Sequence, residues 1–225
     1  SGNRTYQTAA YLLINDIDCK GEELEIIGKD PDNGYYFSGS FTSNYDGETG
    51  VSYRHSISNF KINATGTNYV GLFGAVFADL SVENSANFYG ITLKNFEINA
   101  NMYTSDAATQ TMACGGLVGY GVGANLLLCE ASDGKINIAG DSTYFSFAGG
   151  LMGYQQGYYF SNYGLSAASE IAYAKADVDI NVLSGLVRAA GGISGHLATD
   201  YPFGAVTSIH HSYATGDVTG AIRSG

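Results

Sequence analysis

Gly115-Gly116-Leu117-Val118-Gly119 is the second of four near-identical words in this chain. Val70-Gly71-Leu72-Phe73-Gly74 precedes it; Gly149-Gly150-Leu151-Met152-Gly153 and Gly191-Gly192-Ile193-Ser194-Gly195 follow. Between the copies runs a second phrase, an alternating strand centred on Ile62, Ile98, Ile136, Val178 and Val218. Self-similarity of this length marks a solenoid, whose repeats stack because none can bury its apolar face alone. The second word-glycines, Gly71, Gly116, Gly150 and Gly192, are separated by 45, 34 and 42 residues. A fixed word at variable spacing describes a constant coil interrupted by loops of different length.

Each coil reads as about three short strands. The first is the Gly-Leu-x-Gly word itself, as at Gly116-Leu117-Val118-Gly119. The second is plainest at Ile209-His210-His211-Ser212-Tyr213-Ala214 and is echoed at Ile171-Ala172-Tyr173-Ala174. The third alternates, as in Asp177-Val178-Asp179-Ile180-Asn181-Val182, which puts Val178, Ile180 and Val182 on one face and Asp and Asn on the other. Stacked in register, such coils form parallel sheets with apolar ladders, and the paired glycines suit corners where a Cβ would clash with a neighbouring rung. The all-β chain is therefore expected to be one domain over 1–225, with less regular coils over 1–60 and regular repeats over 61–225. Its repeats stop mid-unit after Arg223, so a fragment of a longer protein is expected.

Composition narrows the partners. The formal net charge is −11 with only 10 Lys and Arg, which argues against nucleic acid, since phosphate binding needs clustered cations. No apolar run approaches the ~20 residues of a membrane span, so this segment is not expected to insert directly in a bilayer. Gly is abundant at 31 residues beside only 2 Pro and no Gly-X-Y period, which excludes collagen and suits tight corners between short strands. Cys19, Cys114 and Cys129 are too few for a disulfide framework and read as free, packed thiols.

The word Gly-Leu-x-Gly, with Ser212-Tyr213-Ala214-Thr215-Gly216-Asp217-Val218-Thr219-Gly220 and the lead-in Tyr11 to Asp18, resembles the bacterial GLUG-repeat family over roughly 10–220. The resemblance implies a right-handed parallel β-helix in an exported or surface-anchored protein, typically an adhesin-like ectodomain or a stalk. It supplies no catalytic residues. Two stretches depart from the pattern: the longer segment 42–54, and Gly192-Ile193-Ser194-Gly195, where Ile-Ser replaces Leu-Val.

His55, His196, His210 and His211 lack the H-E-x-x-H spacing of a zinc protease, and His210-His211, adjacent on a strand, are expected on opposite faces with a surface or core role. Ser194 beside His196 lies inside the repeat word, and no G-x-S-x-G elbow exists. Gly119-Tyr120-Gly121-Val122-Gly123 resembles a phosphate loop only faintly. Asp16 with Asp18, and Asp177 with Asp179, would share faces as paired carboxylates but arise as readily on a solvated strand. Asp30, Asp32, Asn33 and Gly34 read as a plain turn rather than a Ca²⁺ loop.

Aromatic clusters remain. Tyr35-Tyr36 and Tyr158-Tyr159 are the candidate ligand-binding residues, because exposed Tyr offers contact area with a polar tip; ladder packing is the competing reading. The sequence thus predicts a non-enzymatic extracellular module of a bacterial cell-surface or secreted protein, adhesin-like or stalk-like, without cofactor or metal. A host or matrix protein or a glycan is the ligand class such a module would take. The alternative is a carbohydrate-binding or polysaccharide-active β-helix using exposed Tyr and Asp, and a spacer without ligand is a third reading. Loops 29–35, 42–53, 101–113 and 155–169 are the expected sites of specificity.

Overall fold

The computed structural model describes residues 8–29, 31, 34–43, 54–78, 85–102, 111–140, 145–160, 165–199 and 205–222. These residues are all-β, arranged as parallel sheets whose strands are stacked in chain order, an arrangement compatible with a β-solenoid. One sheet runs Ala10–Leu13, Ser40–Ser43, Ala86–Tyr89, Ala124–Leu127, Ser169–Ala172, Thr207–His210. A second, the longest, stacks Ile17–Asp18, Ser56–Thr65, Thr92–Met102, Glu130–Gly140 and Lys175–Gly191, with Tyr213–Ala214 and Val218–Ile222 against the last of these. Its other limb holds Tyr69–Val70, Thr111–Gly115 and Phe145–Gly149, and the long strand Lys175–Gly191 runs through both limbs. The third sheet is Phe73–Phe77, Val118–Val122, Met152–Gln156, Ser194–Ala198.

In-register pairing is what repetition in the sequence produces. Ile62 pairs with Ile98, Ile98 with Ile136, Ile136 with Ile180, and Ile180 with Val218; the four isoleucines are essentially inaccessible. Each buried aliphatic of this column contributes roughly 1.5–3 kcal/mol by leaving water. Val178 and Val182 lie on the same buried face as Ile180, as the alternation requires. Beside the column, Phe60 and Phe96 stack with ring centroids 5.3 Å apart and planes 8° from parallel. The next rung carries Gly134, where a Cβ would stand 2.4 Å from Phe96 Cζ. The glycine is the space the Phe96 ring occupies.

Several details differ from the sequence reading. The repeat word is not a strand but a corner. Gly116 and Leu117 form a bend between Thr111–Gly115 and Val118–Val122, so the described residues from Ala86 to Val122 form four strands rather than about three. The word's last glycine is required by proximity: a Cβ on Gly119 would lie 2.7 Å from Gly74 O and 2.7 Å from Val70 N, both backbone atoms. The supposed strand Ile209 to Ala214 is also a corner, since Thr207–His210 belongs to one sheet and Tyr213–Ala214 to another. The column partner in the rung Lys175–Gly191 is Ile180, not Val178, which pairs with Gly134.

The register along this strand also slips by one residue. In three rungs the long strand carries a left-handed residue, Asn59 (φ 57°), Asn95 (φ 47°) and Asp133 (φ 51°), types that tolerate this conformation. The Lys175 rung carries no left-handed residue in this stretch, and pairing slips between Ala131 and Gly134.

A polar ladder runs parallel to the apolar one. Asn63 Nδ2 donates to Glu23 Oε2 (2.9 Å), Asn99 to Asn63 (3.0 Å), Asn137 to Asn99 (2.8 Å) and Asn181 to Asn137 (3.1 Å). Thr219 Oγ1 closes the series by donating to Asn181 Oδ1 at 2.8 Å. Every amide donates toward the N-terminal rung, so the bonds are aligned and polarise one another. The first link ends on a carboxylate, which only accepts.

Candidate functional site

Parallel strands in register place equivalent side chains about 4.8 Å apart. On the third sheet this spacing stacks aromatic rings. Tyr120 pairs with Tyr154, and Tyr154 with His196. The Tyr120–Tyr154 and Tyr154–His196 ring centroids are 5.1 and 5.0 Å apart. Tyr69 lies flat on Tyr120 at 4.8 Å, and Phe147 packs against both Tyr154 (5.3 Å) and His196 (4.5 Å). Phe77 continues the strip from Tyr120 to Tyr36, at 5.7 and 5.1 Å. The tyrosines are half-buried.

Ring faces in this strip are largely taken up by neighbouring rings. What it offers outward is edges and hydroxyls, and Tyr120 Oη already donates to Gln156 Oε1 at 2.9 Å. Burial pushes the Tyr120 phenol well above its ordinary range, helped by the phenols of Tyr69, Tyr154 and Tyr158; burial raises Tyr154 as well. Burial also lowers His196, favouring the neutral ring. The strip is therefore uncharged near neutrality and combines phenolic hydroxyls with apolar ring edges. Such a surface suits neutral hydroxyl-bearing ligands and protein contacts rather than free anions.

The four tyrosines singled out from sequence fall at its margins. Tyr36 joins the strip through Phe77, and the Tyr158 phenol acts electrostatically on Tyr120. Tyr158 is 38% exposed on an antiparallel hairpin, Tyr158–Phe160 with Leu165–Ala167, inside a segment read as a loop. Tyr35 is exposed and Tyr159 half-buried. Sequence reasoning missed the central rings, although a signal exists. The residue directly after the word's last glycine is aromatic in three copies: Gly119-Tyr120, Gly153-Tyr154 and Gly195-His196.

The remaining sequence candidates are absorbed by the stack. Asp16 Oδ1 accepts from Ser56 N at 2.7 Å and Asp18 Oδ1 from Asn59 Nδ2 at 2.7 Å; these bonds hold both carboxyls below their usual range. Asp177 accepts from Thr215 Oγ1 and Asp179 from Asp217 N, each at 3.0 Å. Ser194 Oγ donates to His196 O. Tyr120 to Val122 belong to a strand, which leaves no phosphate-cradling loop there. Asp30, Asp32 and Asn33, with 44–53, 103–110 and 161–164 of the expected loops, lie outside the described residues. The other end of the 101–113 segment is strand from Thr111.

His210 and His211 do not point apart. His211 has φ 51°, left-handed, at a corner shared by Gly90, Leu128 and Tyr173, and so leaves the two-residue alternation. Their Nδ1 atoms meet at 2.8 Å. All three thiols are free, with Cys114 and Cys129 buried and each pushed up to about 12 by desolvation. On the second sheet a groove of about 480 Å³ has a mixed lining that includes Asn59, Phe60, Lys61, Phe96, Glu97 and Lys135. Among the described residues no group of three or more His, Cys, Asp or Glu is placed to hold a metal ion, and no helix is long and apolar enough to cross a membrane. Comparison with family models, curated proteins and solved structures finds no match to this chain.

Proposed function

We propose that this chain is a right-handed parallel β-helix of the GLUG-repeat type, serving as a non-enzymatic extracellular module of a bacterial surface or secreted protein. It acts as an adhesin-like or stalk segment, and its aromatic strip contacts a glycan or a matrix protein. The observation that carries the reading is the strip from Tyr69 through Tyr120 and Tyr154 to His196, the last three on successive rungs of the third sheet, flanked by Tyr158. Aromatic edges with phenolic donors give large contact area at low conformational cost, the composition favoured in adaptable binding surfaces. Engagement of the paired aspartates with neighbouring repeats supports a binding role over hydrolysis, which would need an acid and a base free to act on substrate.

A glycan and matrix-protein array tests it. Selective binding is expected, lost in Tyr158→Ala and weakened at least tenfold in Tyr154→Ala. Silence across both arrays, or binding indifferent to both substitutions, would refute the contact role. Turnover of any polysaccharide on the array would refute the non-enzymatic one.

A further inference from the structure

His210 and His211 form, we infer, half of the coordination sphere of a divalent transition-metal ion of the Cu(II) or Ni(II) type, with Glu170 as the group that orients the first ligand. His210 ends the last described strand of the first sheet, and His211 turns back beside it because its backbone is left-handed. The rings stand nearly perpendicular, at 84°, with Nδ1 facing Nδ1 across 2.8 Å. Glu170, diagonally across on the neighbouring strand, takes the opposite nitrogen of His210: its Oε1 lies 2.5 Å from Nε2. Tyr173, the residue at the same corner one rung earlier, stacks on His211 at 4.8 Å and 12°, which fixes the plane of the second ring.

The chemistry follows from these contacts. An ionised Glu170 only accepts, so Nε2 of His210 carries the hydrogen and Nδ1 presents its lone pair. His211 Nδ1–H then donates to that lone pair. Moving the His211 hydrogen to its own Nε2 leaves two bare Nδ1 atoms side by side, with both imidazoles neutral and no proton lost.

Separation selects the metal. With metal–nitrogen bonds of ~2.0–2.1 Å, nitrogens 2.8 Å apart subtend roughly 90°, the cis angle of a square-planar or octahedral centre, whereas a tetrahedral ion needs them ~3.3 Å apart. Imidazole nitrogen suits Cu(II) and Ni(II), and Cu(II) binds most tightly in the divalent series. Water completes the sphere, since both rings lie at the surface, with His210 39% exposed. Adjacent residues on an ordinary strand could not do this, because their side chains diverge.

The test uses the intact protein, freed of metal and titrated with Ni(II) by calorimetry and with Cu(II) by frozen-solution electron paramagnetic resonance. One equivalent should bind, and the Cu(II) spectrum should show hyperfine splitting from two equivalent imidazole nitrogens. His210→Gln and His211→Gln should each weaken Ni(II) binding at least tenfold, and Glu170→Gln roughly tenfold through loss of orientation. His55→Gln should change nothing. A spectrum with one nitrogen or none, or affinity retained in the His210→Gln/His211→Gln double variant, would overturn the assignment. The wild-type spectrum decides the question even where a variant fails to fold.

Discussion

Replacing Asn137 by Asp is the sharpest probe of the polar ladder, because it changes one NH₂ to O and nothing in shape. Asn137 Nδ2 donates to Asn99 Oδ1 at 2.8 Å and to Glu97 Oε1 at 3.3 Å, while its own Oδ1 accepts from Asn181 at 3.1 Å. The aspartate keeps the accepted bond and loses both donated ones. At about 1 kcal/mol net per hydrogen bond this removes about 2 kcal/mol, and setting a carboxylate against Asn99 Oδ1 and the Glu97 carboxylate adds roughly 1 more after screening. We therefore expect a loss of about 2–4 kcal/mol at pH 7. The acceptors that face it raise the folded pKa of the new carboxyl above its unfolded value of about 3.9. The penalty is then complete above the folded pKa, shrinks as pH falls through it, and is largely gone below about 3.9, where a protonated oxygen donates again. Urea denaturation of wild type, Asn137→Asp and Asn137→Ala from pH 4 to 8 measures this. Differences taken at each pH cancel the titration of the native carboxylates. The alanine variant loses the accepted bond as well and should cost about 3 kcal/mol at every pH. An aspartate variant within about 0.5 kcal/mol of wild type at pH 7, or a penalty unchanged down to pH 4, would refute an energetically significant ladder.

Three other predictions concern the core and the thiols. Ile136→Ala, in the inaccessible centre of the isoleucine column, should cost about 2–5 kcal/mol in urea melts, against under 0.5 for a surface change such as Lys94→Ala. Gly134→Ala should cost about 1–3 kcal/mol because its Cβ enters the Phe96 ring, and Phe96→Leu in the same chain should restore part of that; additive losses would contradict the space argument. With a thiol-labelling reagent at pH 8, Cys19, half-buried, should react alone in the native protein, and Cys114 and Cys129 only on unfolding. Three thiols labelled at one rate would place the buried pair elsewhere.

Legibility in the sequence followed the physical period of each element. The long strands were readable because one face is buried and the other wet, so Ile136 and Ile138 alternate with Lys135 and Asn137. Thr111–Gly115 was not readable, because Met112, Ala113 and Cys114 are all buried and no alternation survives. The corners escaped for the opposite reason. A left-handed residue adds one position to the count, and Asn59, Asn95, Asp133 and His211 look like ordinary strand or turn residues until the backbone is seen. For the candidate surface, the exposed pairs Tyr35-Tyr36 and Tyr158-Tyr159 stood out as clusters, whereas Tyr69, Tyr120 and Tyr154 are single tyrosines that meet only through stacking. Alternation fails for the histidine pair because the left-handed corner at His211 turns the second ring from its expected direction.

The hydrogen bonds joining one rung to the next lie along the direction in which the rungs pile up. Tension applied between the two ends would load them one row at a time, as in a zipper, instead of sharing force over many rows at once. Freeing the 38 residues between Asn99 and Asn137 would lengthen the chain by roughly 130 Å at ~3.4 Å per residue. A chain stacked this way is expected to yield in discrete steps under pull.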